Sequence, residues 1–181
     1  NINFIQIITI ITFLFNSCEK KLINPETKKI HQFFADEWEK GLENSPESAS
    51  WYGDDRFNDQ LNDRSLDKIV SDHEKNINTL KNLVQIKRSQ LSGADQLNYD
   101  LYKQDLKTSI EGYEFKSYLI PITELGGIHI GLPNMVELMP FKNRRDFQNY
   151  ISRLQQIPTA VDQTISVMRR GLSFKILPPK V

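Results

Sequence analysis

Residues 120–141 read IPITELGGIHIGLPNMVELMPF. The fold turns on what this stretch can and cannot be. It is apolar, yet it holds Pro121, Pro133 and Pro140 together with Gly126, Gly127 and Gly131. Each proline fixes φ and removes a backbone donor, and the Gly-Gly pair permits a turn with positive φ, so one continuous helix is excluded. An apolar, irregular segment of this length inside a domain reads as a buried crossover or the wall of a binding cleft. Within it the sequence predicts one short helix, from Pro133 or Asn134 to Met139.

Helical patterns run up to the crossover and away from it. Asn24 is placed to cap a helix with Pro25 in its first turn, and Ile30, Phe33, Phe34, Trp38 and Leu42 then recur on one face. Ser45-Pro46 starts a short helix through Ser50. Residues 51–64 lack a period and read as a loop packed by its aromatics. Ser65 caps a long helix to about Arg88, with Leu66, Ile69, Val70, His73, Ile77, Leu80 and Val84 on its apolar face. Ser92-x-x-Asp95 has the form of a capping box, opening a helix over 94–113 with Leu97, Leu101, Tyr102, Leu106 and Ile110. The short link between these two favours an antiparallel helical hairpin. After the crossover, Asn143 caps a helix with Phe147, Tyr150, Ile151 and Leu154 on one face. Pro158 is expected to interrupt it, and a further helix carries Val161, Ile165, Met168 and Leu172. The fold class is mainly α: antiparallel hairpins joined by a Pro/Gly-rich crossover, with little or no sheet.

The 181 residues suffice for one core that buries roughly 70% of the unfolded surface. Lys plus Arg number 23 and Asp plus Glu 23, a zero balance that argues against nucleic acid as a partner. The single cysteine, Cys18, rules out an intrachain disulfide and a cysteine-based zinc cluster.

Cys18 follows the apolar run Ile2–Phe15, which is short for a bilayer span and suited to a signal-peptide core. Asn16-Ser17-Cys18 after such a run resembles the lipobox of bacterial lipoproteins. Phe15 stands where Leu is preferred and no basic stretch precedes the core. A polar stripe of Asn3, Gln6, Thr9 and Thr12 also fits an amphipathic helix with a plain core cysteine. The lipoprotein reading is preferred, because apolar length and cysteine position agree. It divides the chain into a signal segment (1–18), a tether (19–25) and a helical part (26–181). It implies a bilayer partner through acylated Cys18 and a place on the bacterial cell envelope. The chain opens on Asn rather than Met and stops at Pro178-Pro179-Lys180-Val181, and it is expected to be a piece of a longer protein.

No local motif carries a chemistry. His73-Glu74 begins like a zinc-binding His-Glu-x-x-His, but Ile77 takes the second histidine's place. Gly171-Leu172-Ser173-Phe174-Lys175 lacks the second glycine of a nucleophile elbow. His31 and His129 have no partner at ligand spacing. A histidine between Ile128 and Ile130 is more commonly a hydrogen-bonded core group than a ligand-facing one. His129 and Asn134 are nonetheless the candidate cleft-lining residues.

The ordered pieces resemble a known family, the bacterial "domain of unknown function 885" proteins. The shared elements are Phe33-Phe34-x-x-x-Trp38, Pro46-Glu47-x-Ala49 with Gly53-Asp54, and Gln96-Leu97-Asn98-Tyr99-Asp100-Leu101. They continue through Glu111-Gly112-Tyr113-x-Phe115, Gly126-Gly127-Ile128-His129, Leu132-Pro133, Met139-Pro140-Phe141, Tyr150-Ile151-x-Arg153-Leu154 and Asp162-Gln163-Thr164. The resemblance spans about residues 30–181. It implies a mainly helical, often secreted or lipid-anchored protein, related to gluzincin-type zinc metallopeptidases and acting on peptides. The family's His-Glu and Pro-Gly-His motif lies C-terminal to the matched region and is absent here, so no catalytic, cofactor or metal ligand carries over. The implied role is one wall of a substrate cleft in a zinc-dependent protein. The alternative is a non-catalytic helical lipoprotein that binds a peptide, glycan or protein.

Overall fold

The computed structural model describes residues 24–178. Cys18 and the signal segment lie outside them. Six α-helices are found among the described residues: α1 (Pro25–Asn44), α2 (Pro46–Trp51), α3 (Leu66–Leu83), α4 (Gly93–Glu114), α5 (Ile128–Asn134) and α6 (Arg144–Ser173). Short 3-10 turns occupy Asp55–Phe57, Arg88–Gln90, Ser117–Leu119 and Met135–Leu138, and no strand occurs among these residues. The mainly α architecture is as expected. No described helix is long and apolar enough to cross a membrane.

The caps fall where side-chain acceptors stand. Asn24 accepts the Glu26 N–H, Ser65 that of Lys68 and Ser92 that of Asp95. Ser92 and Asp95 do not complete a box. The Asp95 carboxylate takes the Ser92 hydroxyl at 2.8 Å and His31 Nε2 at 2.8 Å, so it ties α4 to α1. The reciprocal box forms at Asn143–Asp146, at the start of α6.

Helices α3 and α4 pack as the antiparallel hairpin. His73, early in α3, stacks on Tyr113, late in α4, with ring centroids 3.8 Å apart. At the other end Leu83, Ile86, Leu91, Tyr99 and Leu106 join Ile30 of α1 in an apolar core. Phe33, Phe34 and Tyr102 close it edge to face, at centroid distances of 5.5–5.9 Å. Helix α3 ends at Leu83 rather than near Arg88, because the link over residues 84–92 turns inward to bury Ile86 and Leu91.

Two expectations fail on α6. Pro158 does not interrupt it: one helix runs through all 30 residues. A proline inside a helix costs about 3 kcal/mol, but α6 is gripped on both sides of it. Before Pro158, Arg153 and Gln156 hold the 57–61 backbone, and after it Gln163 accepts the Arg64 N–H at 2.9 Å. The apolar stripe is also not the buried face. Phe147, Ile151, Leu154, Val161, Ile165, Met168 and Leu172 are 36–59% exposed, while Arg153, Ala160, Thr164, Val167 and Gly171 are buried.

Residues 52–64 are a loop, though not one packed by aromatics. Trp51 and Tyr52 are 72% and 62% exposed. The loop closes on polar groups instead. The Arg153 guanidinium, 0% exposed, donates to the carbonyls of Gln60 (2.8 Å), Phe57 (3.1 Å) and Pro46 (3.2 Å) and to Ser50 Oγ (2.6 Å). Ser50 in turn donates to buried Asn58 at 2.5 Å. Burial pulls this guanidinium below its usual value, an effect that Glu47 and Asp59 oppose.

Candidate functional site

The crossover wraps α6 and exposes a wall. Residues 123–126 form a turn in which the Thr123 N–H reaches Gly126 O at 2.8 Å. Gly127 then takes φ 138°, and a Cβ there would lie 3.1 Å from Pro121 O and 3.2 Å from Ile122 Cα. Only glycine passes this point without strain. The short helix therefore begins at Ile128, with Pro133 inside it, rather than at Pro133 or Asn134. A 3-10 turn continues to Leu138 and drives Met135 into a small core with Leu61 and Ala160.

Of three neighbouring cavities, two border this wall. The first, about 490 Å³, lies between α3 and α4 and is lined by Asp72, His73, Asn76, Tyr113 and Tyr118. The second, about 420 Å³, sits under the crossover, where Arg64, Pro121, Gly127 and Ile128 meet Thr164 and Val167 of α6. The third, about 560 Å³, lies between α2 and the end of α5, with Trp51, Asn134, Met135 and Glu137 around it. Ile69 and Tyr118 line both the first and the second, and Glu47 and Gly131 line both the second and the third. The three are thus neighbours that share lining residues, an interrupted groove whose size suits an extended ligand.

Some polar groups of the groove are fixed by partners. Arg64 grips both oxygens of Glu47 at 2.7 and 2.8 Å and donates to Asn62 O at 2.9 Å. At the other end His73, Tyr113 and Tyr118 stack in series, with the two tyrosines 5.2 Å apart. Burial, and then Tyr113, push the Tyr118 phenol above its ordinary value. His73 Nδ1 is buried with no hydrogen-bond partner among the described residues.

Asn134 lines the third cavity. His129 is exposed on α5 and lines none of the three, so it is not a core histidine. Glu47, Trp51, Arg64 and Tyr118 gave no signal in sequence as groove residues, because they come from three separate segments, α2, the loop before α3 and the turn after α4, that only the fold brings together.

The described residues do not fit a zinc ion. His31 is spent on Asp95, His73 stacks on Tyr113 and His129 stands apart on α5. No three of His, Cys, Asp or Glu converge among the described residues.

Neither a curated protein nor a solved structure matches the chain. Residues 46–181 match a protein family over three quarters of the sequence, covering α2 to α6, the crossover and all three cavities. The chain belongs to that family, described as "Bacterial protein of unknown function (DUF885)".

Proposed function

We propose that this chain is the substrate-holding helical part of a larger, zinc-dependent peptidase-like protein, kept at the bacterial cell envelope by acylated Cys18. The observation that carries the reading is the groove along the crossover. It is rimmed in part by side chains already held by hydrogen bonds, notably Arg64 on Glu47, and its glycines let a main chain approach closely. An extended peptide fits such a surface, since backbone amides use fixed polar groups and side chains fill successive cavities. Its residues bind and orient peptide; metal chemistry is assigned to residues outside those described.

Gly131 provides the test. It lines the second and third cavities, and a Cβ built on it meets nothing within 4 Å. Gly131→Trp therefore starts its side chain in open space and is expected to block the groove. Calorimetric titration of the full chain with a mixed-sequence peptide library is expected to show binding that Gly131→Trp abolishes while the melting temperature changes little. Equal binding by both proteins would refute the reading. Peptides cleaved by the full-length protein support the peptidase form, and peptides recovered intact support a non-catalytic binder. For the anchor, radioactive palmitate is expected to label the wild-type protein and not Cys18→Ser.

A further inference from the structure

The groove is not uniform, and the cavity beside α2 has a chemistry of its own. Trp51 ends α2 with 72% of its surface open. The other tryptophan, Trp38, is instead packed against Tyr52 at a centroid distance of 4.9 Å. The cation–π contacts among the described residues use Phe57, Tyr99 and Phe174, and none uses Trp51.

Two carboxylates line the same cavity, Glu47 and Glu137, and no lysine or arginine does. Glu47 is neutralised by Arg64, whose guanidinium is held by that carboxylate and by Asn62 O. Glu137 makes no ion pair or side-chain hydrogen bond among the described residues, and neither does the Asn134 side chain. Asn134 and Glu137 are three positions apart, across the junction of α5 with its 3-10 turn. Leu138 and buried Met135 add apolar surface beside them.

An exposed indole, an exposed and unpaired carboxylate and an apolar lining together describe a receptor for an organic cation on an aliphatic stem. The indole face attracts a cation lying within about 6 Å of its centroid. The apolar lining takes the methylenes, as long basic side chains prefer. An acidic side chain meets a lone negative charge with no cation free to answer it. A neutral apolar one fills the same space but leaves Glu137 unanswered.

We propose that the cavity formed by Trp51, Asn134 and Glu137 is a subsite for a lysine or arginine side chain of the bound peptide. The proposal rests on the reading of the groove as a peptide site and adds its preference. The test titrates the full chain calorimetrically with peptides that differ at one position, which carries lysine, arginine, norleucine, glutamine or glutamate. At the position that reaches the cavity, lysine and arginine peptides are expected to bind about tenfold more tightly than norleucine, which has a similar length and no charge. Added salt should narrow that gap, because part of the attraction is Coulombic. Glu137→Gln should remove most of the preference and leave norleucine affinity unchanged, whereas Trp51→Leu should weaken norleucine peptides and weaken lysine peptides further, because the cation–π attraction goes with the indole.

Lysine and norleucine peptides that bind equally, with Gly131→Trp still blocking both, would overturn the subsite and leave the groove reading standing. Failure of every peptide to bind would remove both. Cadaverine binding as tightly as the lysine peptides would make this a site for soluble amines and overturn the peptide assignment.

Discussion

Helices α1, α3 and α4 and helix α6 were built on the same rule and used it in opposite ways. Around Ile30 and Leu83, both 0% exposed, apolar residues of α1, α3 and α4 meet one another, although Trp38, Val70, Leu97 and Leu101, expected on those buried faces, are exposed. On α6 the fully buried side chains are Arg153 and Val167, with Ala160 and Thr164 also buried, while seven large apolar residues face outward. Those seven recur at alternating steps of three and four residues once Pro158 is counted among them, the spacing of a helix seam. Hydrophobic period therefore reports that a helix has an apolar face; it does not report which neighbour covers it. Helix α6 is held instead by its donors. Ser152 and Gln156 reach Asp59 O at 2.9 and 2.7 Å, Arg153 reaches three carbonyls, and Gln163 reaches Asp63 at 2.8 Å.

This contrast can be broken most severely at Arg153. Arg153→Met removes the donors that satisfy the carbonyls of Pro46, Phe57 and Gln60 in a buried place, and about 3–5 kcal/mol of stability is expected to go. Urea unfolding measures it. A loss below about 1 kcal/mol would mean that the polar clamp does not hold α6.

Gly171→Ala comes next. Its Cβ would lie 2.8 Å from Leu119 O, a backbone atom that cannot swing aside. A loss of about 1–3 kcal/mol is expected by thermal unfolding. An unchanged melting temperature would contradict the close approach of α6 to residues 117–119.

A smaller effect is expected on acidification, and it belongs to the α1–α4 side. Lys29, and then the Lys87 N–H, hold the Glu26 carboxyl below its ordinary value; His31, and then Ser92, do the same for Asp95. A carboxylate lowered by folding contributes stability above its unfolded value and loses it as pH falls through the lower, folded one. Stability should thus decline below about pH 4, and Glu26→Gln should flatten that decline. A curve of unchanged slope in the variant would argue against this staple between α1 and the link before α4.

The smallest effect is expected on the α6 stripe. Ile165→Gln and Met168→Gln should each change stability by less than about 0.5–1 kcal/mol, since both sites are already open. They should also lower the binding of a hydrophobic dye. A loss above about 2 kcal/mol would show that something covers the stripe.

Much of this architecture was legible in the residues. The caps at Asn24, Ser65, Ser92 and Asn143 read directly, because a side-chain acceptor before an apolar period has few other uses. The hairpin of α3 and α4 followed from a short link. Pro158 misled, because a local cost of about 3 kcal/mol is outweighed by contacts from residues 57–64, about 95 positions away in sequence. The loop after Trp51 misled for a related reason: its aromatic content suggested apolar packing, but its core is Asn58, Ser50 and a guanidinium from α6. The groove was half legible. The Pro/Gly crossover marked one wall, and Asn134 stands in it, but Arg64 and Tyr118 carry no local mark of their place there.

Hydrogen exchange of the full chain, with and without a saturating mixture of basic peptides, tests the central claim most directly. New protection is expected in residues 46–64 and 121–138, with α1 and the open stripe of α6 unchanged. Protection confined to residues 147–172, or to no segment at all, would contradict it.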